Sequence, residues 1–295
     1  MGKSSKDKRD IYYRLAKEQG WRARSAFKLL QIQETFNIFR DVKMVVDLCA
    51  APGSWSQVLS RQLYSEADRE CASTAKIVAV DLQLMTPIEG VIQLQGDITD
   101  PRTAEQVIGY FDGQRADLVV CDGAPDVIGL VDIDEYIQHQ LVMASLDIST
   151  RILKTGGTMV AKVFRGPKIA MLTTLLSQFF GKVTIAKPKC SRDSSLEAFA
   201  VCEQYTPPID FTGRVQDFLA PMIPDLLSKL ASLKPVPFVA CGGEEAYDAD
   251  RTYPLTLKEG EEYQHHAPVQ PPIHPPYELA QKMRKEGKLA SQNTG

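Results

Sequence analysis

From about residue 44 to residue 205, short apolar runs rich in β-branched residues alternate with longer stretches of helical periodicity, the pattern of βα units that build a mostly parallel sheet. The runs at 44–48, 77–80, 91–94, 118–121, 158–163, 183–186 and 198–202 predict seven strands, and the stretches near 54–65, 101–109, 132–153 and 167–180 predict the helices between them. The expected fold class is α/β: a doubly wound, seven-stranded, mostly parallel sheet with helices on both faces, its last two strands forming an antiparallel hairpin across the loop 187–197. Upstream, 22–34 reads as a helix whose apolar stripe, Ala23, Ala26, Phe27 and Leu30, packs on the sheet while Lys28 points elsewhere. Downstream, 211–233 holds one amphipathic stretch interrupted by Pro221 and Pro224. From Lys234 onward Pro, Gly and acids accumulate, ending in a short basic helix at 278–288. The expected division is a domain over 1–207 and a Pro-rich, partly acidic extension over 208–295.

At 295 residues, 44% hydrophobic and 24% charged, the chain can bury a full core. No apolar run approaches the ~20 residues of a membrane span, and the polar start MGKSSKDKRD lacks the apolar stretch of a secretory signal, so a cytoplasmic protein with no membrane partner is expected. Six cysteines without a CxxC pair predict reduced thiols and no metal site. The net charge of −3 is unevenly spread: residues 1–28 carry nine Lys or Arg against three acids, a net +6 that leaves −9 for the rest. A basic arm on an acidic body suits a protein that meets phosphates through one face, and a solvated tail has the same composition. Tyr12, Tyr13 and Trp21, interleaved with these basic residues, suit either base stacking or a core.

The chemistry gathers where strands end. Met44-Val-Val-Asp-Leu48 runs into Cys49-Ala-Ala-Pro-Gly-Ser-Trp55 and then a helix, and small residues at such a turn let backbone amides approach a polar ligand. Only Gly53 of a GxGxxG pattern is present, which argues for a cofactor without a pyrophosphate. Asp81 ends the second strand, where a carboxylate can accept from both hydroxyls of a ribose, and Gly96-Asp97 follows the third, where an adenine amino group wants an acceptor. Asp47, Asp81 and Asp97 are expected around one crevice, and Asp122 at the end of the fourth strand joins them on the same side of the sheet.

In their order along the chain, Arg24-Ser-Ala-Phe-Lys-Leu-Leu30, Asp47-Leu-Cys-Ala-Ala-Pro-Gly-Ser-Trp-Ser-Gln57, Asp81-Leu-Gln-Leu-Met-Thr-Pro-Ile-Glu-Gly90, Gln95-Gly-Asp97, Asp122-Gly-Ala-Pro125, Ala161-Lys-Val-Phe-Arg165 and Ser191-Arg-Asp-Ser-Ser-Leu-Glu-Ala198 resemble the FtsJ/RrmJ-type ribose 2′-O-methyltransferases over about residues 1–205. The resemblance implies a Rossmann-like methyltransferase fold, S-adenosyl-L-methionine as methyl donor, and a catalytic tetrad of Lys28, Asp122, Lys162 and Glu197. It implies donor contacts at Gly53, Trp55, Asp81, Asp97 and Asp122. It assigns Lys162 as the central base or hydroxyl-orienting group. Two neighbouring carboxylates would raise its pKa, while burial and a second ammonium at Lys28 would lower it, so both roles remain open at the level of sequence.

Arg22-Ala-Arg-Ser-Ala-Phe-Lys28, Val120-Cys-Asp-Gly-Ala-Pro-Asp126, Ser194-Ser-Leu-Glu-Ala-Phe-Ala-Val201 and Tyr247-Asp-Ala-Asp-Arg-Thr-Tyr-Pro254 are most similar to the eukaryotic tRNA anticodon-loop branch. That branch implies methylation of tRNA at positions 32 and 34, each with its own auxiliary protein, a WD-repeat protein for position 34 and a separate partner for position 32. Ribosomal RNA or an mRNA cap is the alternative substrate. A base-carbon methyltransferase would need a cysteine after the proline where Asp126 follows Pro125, a dehydrogenase would need the missing glycines, and a noncatalytic RNA-binding subunit would be expected to have lost tetrad residues.

Overall fold

A computed structural model describes residues 10–64, 75–125, 130–229, 232–233 and 236–254. The predicted helix at 278–288 and Cys71 lie outside the described residues. In chain order the elements are α1 (Ile11–Glu18), α2 (Ala26–Phe36), β1 (Met44–Leu48), α3 (Ser54–Leu63), β2 (Lys76–Asp81), β3 (Val91–Gln95), α4 (Pro101–Tyr110), β4 (Ala116–Cys121), α5 (Val131–Ile152), β5 (Leu153–Phe164), α6 (Ile169–Leu176), β6 (Phe180–Pro188), β7 (Glu197–Tyr205), α7 (Val215–Leu219), a 3₁₀ turn (Ala220–Met222), α8 (Ile223–Ser228) and β8 (Phe238–Cys241).

The strands form one sheet in the order β3-β2-β1-β4-β5-β7-β6-β8. From β3 to β5 all pairings are parallel, β7 runs antiparallel between β5 and β6, and β8 lies parallel to β6 at the edge. All seven predicted strands are present, with the expected β6–β7 hairpin. The eighth, β8, comes from the extension and was not expected, because four residues between Pro237 and Gly242 are too short a run to stand out.

Strand alternation sorts the side chains into two cores. Val46, Leu48, Val119, Cys121, Ala161 and Val163 face α4, α5 and α6, while Val45, Leu118, Val120, Val160 and Phe199 face α1, α2 and α3. The described part of the extension packs on the same sheet: Phe211 and Phe218 meet Phe179 edge to face at 5.1 and 5.7 Å. Among the described residues no helix is long and apolar enough to cross a membrane.

From Asp10 onward the basic arm is folded against the sheet. Asp10 caps α1 by accepting from the Tyr13 backbone N–H, and Ile11, Tyr12 and Ala16 line one buried face. Tyr12 and Trp21 are core residues, which settles their two readings against stacking. Arg14 and Arg22 are also buried, so neither is available to a phosphate. The tail then straps α1 down: the Tyr12 hydroxyl donates to Tyr247 O, and the Arg14 guanidinium donates to Pro254 O.

Candidate active site

The carboxyl ends of β1, β2, β3 and β4 open into a cleft of about 920 Å³, at the upper end of the ~300–1,000 Å³ common for ligand pockets. Its wall includes Ala51 and Pro52 from the loop after β1, Asp81 from β2, Gly96 and Asp97 after β3, and Asp122 to Pro125 after β4. Open parallel sheets bind ligands at this edge because the crossover loops separate there.

Gly53 holds φ +101°, and a Cβ on it would come within 2.7 Å of Ile88 Cδ1 and 2.9 Å of Arg22 Nη1, so only glycine fits this turn. The buried Arg22 fastens the turn in place, donating from Nη1 to Pro52 O and from Nη2 to Pro87 O. Each Asp81 oxygen accepts one backbone N–H, from Ala51 at 2.9 Å and Gln83 at 2.8 Å, which fixes the carboxylate and leaves each oxygen a second lone pair. Asp97 is exposed, with Oδ1 accepting from the Thr99 backbone and hydroxyl.

Two expected members of this wall are placed elsewhere. Trp55 is buried against Phe199, ring centroids 5.5 Å apart, and its indole N–H donates to Ser25 O, so its side chain is not part of the cleft wall. Asp47 does not join Asp81 and Asp97 either. It lies beneath α3, accepts from the Ser56 hydroxyl, and burial pushes its carboxyl up to about 8.

Lys28, Asp122, Lys162 and Glu197 form a square of alternating charge beside the cleft. Lys162 Nζ lies 2.7 Å from Asp122 Oδ1 and 3.6 Å from Glu197 Oε2, and Lys28 Nζ lies 2.7 Å from Glu197 Oε2 and 3.8 Å from Asp122 Oδ1. Three corners are set by the sheet: Asp122 directly follows β4, Lys162 lies on the neighbouring β5, and Glu197 opens β7 on the far side of β5. The fourth comes from the first turn of α2, where the helix dipole disfavours a cation and the two carboxylates compensate.

Burial alone would lower the Lys162 pKa, but Asp122 and Glu197 outweigh it and hold the ammonium above its ordinary range. Burial likewise opposes the charge on Glu197, yet Lys28 and Lys162 hold its carboxyl down at about 2. In the resting site Lys162 is therefore a charged donor at neutral pH.

A supporting layer escaped sequence reasoning. The Ser191 hydroxyl donates to Glu197 Oε1 at 2.9 Å. The buried Lys187 ammonium donates to the carbonyls of Arg192, Ser195 and Glu197 at 3.0, 2.6 and 3.3 Å, drawing the whole loop before Glu197 around one cation. In the sequence Lys187 simply follows the apolar run 183–186, where a lysine reads as the first residue of a loop.

Comparison with known proteins places the chain among methyltransferases. The FtsJ-like methyltransferase profile matches residues 21–205. The chain is 54% identical to the mouse "tRNA (cytidine(32)/guanosine(34)-2'-O)-methyltransferase", covering 99% of this chain and 89% of that protein. It is 51% identical to the Schizosaccharomyces pombe protein of the same name, covering 99% and 100%, and 48% identical to a Drosophila melanogaster "tRNA (guanosine(34)-2'-O)-methyltransferase", covering 94% and 86%. Among solved structures, a putative ribosomal RNA methyltransferase from Plasmodium falciparum superposes with a TM-score of 0.55 at 23% identity, over 63% of this chain and 98% of that one, a likeness of fold. With that match and these relatives, the chain belongs to the FtsJ-like methyltransferase family.

Proposed function

We propose that this protein is an S-adenosyl-L-methionine-dependent tRNA methyltransferase that methylates the ribose 2′-hydroxyl at anticodon-loop positions 32, 34 or both. The observation that carries the reading is the charge square of Lys28, Asp122, Lys162 and Glu197 beside a cleft walled by Asp81, Asp97 and Asp122. The relatives' names, at 48–54% identity over nearly the whole chain, support tRNA as the acceptor.

The cleft fits the methyl donor. It offers fixed carboxylates for a ribose and an amino group, a glycine turn at Gly53, and no pyrophosphate cradle. In this reading Asp81 takes the donor's ribose hydroxyls, Asp97 its adenine, and Gly53, Asp122 and the backbone at Trp55 its remaining contacts. When bound, S-adenosylmethionine supplies an electrophilic methyl group on sulfur. The rest is done by the chain: Lys162, charged and aimed by Asp122 and Glu197, donates to the acceptor 2′-oxygen and turns a lone pair toward the methyl carbon. As the new O–C bond forms, the methyl–sulfur bond would break with its electron pair left on sulfur as a neutral thioether, and the hydroxyl becomes strongly acidic, so the nearby Asp122 carboxylate suffices to take its proton and pass it to water. Holding the two reactants as neighbours can itself supply ~7–11 kcal/mol.

In this reading residues 1–207 carry the chemistry, and the extension 208–295, whose described part adds β8 to the same sheet, serves partner binding, with a WD-repeat protein for position 34 and a separate protein for position 32. The site of action is the cytoplasm. The test is to incubate the purified protein, with and without such partners, with unmodified tRNA and labelled S-adenosylmethionine, and to map the label by mass spectrometry beside Lys162→Ala. Label on an anticodon-loop ribose, lost in the variant, is the expected result. Label on a base, or unchanged transfer by the variant, overturns it.

A further inference from the structure

The profile shared by FtsJ-like methyltransferases begins at residue 21 and ends at 205, so α1 and the tail 242–254 both lie outside it. In the fold these two additions hold each other, through Tyr12 to Tyr247 O and Arg14 to Pro254 O. They also grip the loop that carries Glu197. The Asp250 carboxylate accepts from the Asp193 backbone N–H at 2.8 Å, and Lys189 Nζ donates to Gly243 O at 2.9 Å. Asp10 joins the same network: Oδ1 caps Tyr13 N, while Oδ2 pairs with Arg24, whose guanidinium also donates to Cys190 O beside Ser191.

This brace fixes one side chain in the wall of the cleft. Tyr13, half-buried on α1, lines the same cavity as Asp81 and Asp122, and Lys17 Nζ stands over its ring, 4.2 Å from the centroid. Family members share the donor, whereas elements outside the shared core are free to serve the acceptor. The cleft is also roomy enough for a nucleotide beside the donor.

Resting on the function proposed above, we propose that Tyr13 is a substrate-contacting residue, the ring face opposite Lys17 stacking a base of the RNA loop at or beside the methylated nucleotide, with the Lys17 ammonium serving the adjoining phosphate. Aromatic faces are a common platform for unpaired bases, and removing one costs binding whatever the sequence of the strand.

The experiment compares Tyr13→Ala and Tyr13→Phe with the wild type, measuring tRNA Kd, the KM and kcat of methyl transfer, and S-adenosylmethionine Kd. Tyr13→Ala is expected to raise tRNA Kd and KM about 5- to 150-fold, the range of one lost stack, with donor Kd unchanged and Tyr13→Phe near wild type. Unchanged tRNA Kd, or an equal loss of donor binding, overturns the proposal. Should Tyr13→Ala fail to fold, the unaltered protein decides: tRNA carrying 4-thiouridine beside the target nucleotide is expected to photocrosslink to the peptide holding Tyr13, and crosslinks confined to other peptides overturn it. If the wild type binds tRNA and crosslinks but transfers no methyl group to ribose, the functional reading has failed and the stacking role has not.

Discussion

Replacing Glu197 with Gln keeps the side chain's volume while removing one of the two negative charges that face Lys28 and Lys162 at 2.7 and 3.6 Å. The surroundings hold this carboxyl at about 2 rather than its ordinary 4.5, which at ~1.36 kcal/mol per pKa unit corresponds to about 3 kcal/mol in favour of the charged form. The figure agrees with the ~3–5 kcal/mol typical of breaking a buried pair by removing one partner. Because the amide still accepts from Lys28, the expected loss of stability near pH 7 is about 2–3 kcal/mol. The sign follows from a lowered pKa: the contribution is complete above about 4.5 and disappears as pH falls through about 2. Urea unfolding of both proteins at several pH values between about 7 and 2.5 measures the gap, which should be widest at neutral pH and close on acidification. A gap that stays constant across that range, or none near pH 7, would refute the electrostatic account of the square. Methyl transfer should fall at least about 100-fold in the same variant, since Lys162 loses one of the two groups that aim it.

Gly53→Ala should cost about 1–3 kcal/mol from the backbone conformation alone and weaken donor binding more than tRNA binding, which thermal melts and calorimetric titrations of the two ligands would separate. Asp47→Asn should stabilise the protein near pH 7 by about 1 kcal/mol or more. The raised carboxyl favours folding only while protonated, and the cost of keeping or ionising it grows as pH climbs from about 4 toward about 8. The gain should vanish near pH 4, and a gain independent of pH would contradict it. Lys187→Met should lower stability by about 2–3 kcal/mol by leaving three inward carbonyls without their cation, and should reduce kcat with little change in donor Kd. An unchanged kcat would show that the loop before Glu197 holds its shape without the ammonium.

The sheet was legible because its signals are local: each strand is an apolar run bounded by turn residues. Lys28, Asp122, Lys162 and Glu197 were linked only through the family resemblance, since no local pattern joins residues so far apart in the chain, and the fold brings their side chains together. What remained hidden depends on covering by distant chain. Asp47 sits near the end of its strand as Asp81 does at the end of its own, and nothing in β1 says that Ser56 of α3 will close over it. Trp55 sits in the donor-loop motif, but its ring is claimed by Phe199 some 144 positions away. Helix α1 could have been found, since Asp10 followed by Ile11, Tyr12, Leu15 and Ala16 is a cap and an i, i+4 stripe. The basic residues around it drew the reading toward an exposed arm instead. Burial of Arg14 depends on the carbonyl of Pro254, and no short-range pattern announces that partnership.

Two cations and two anions at alternate corners of a small square amount to an electrostatic quadrupole. Its potential dies away faster with distance than that of a single charge or a dipole, so a polyanion approaching from solvent does not sense it. Attraction of RNA must then come from unpaired cations elsewhere on the surface, and added salt acts on that encounter. Once a hydroxyl is seated within a few ångströms, the local field is strong and beyond the reach of screening ions. Ionic strength should therefore govern how often the enzyme is occupied and leave the speed of the chemical step almost untouched.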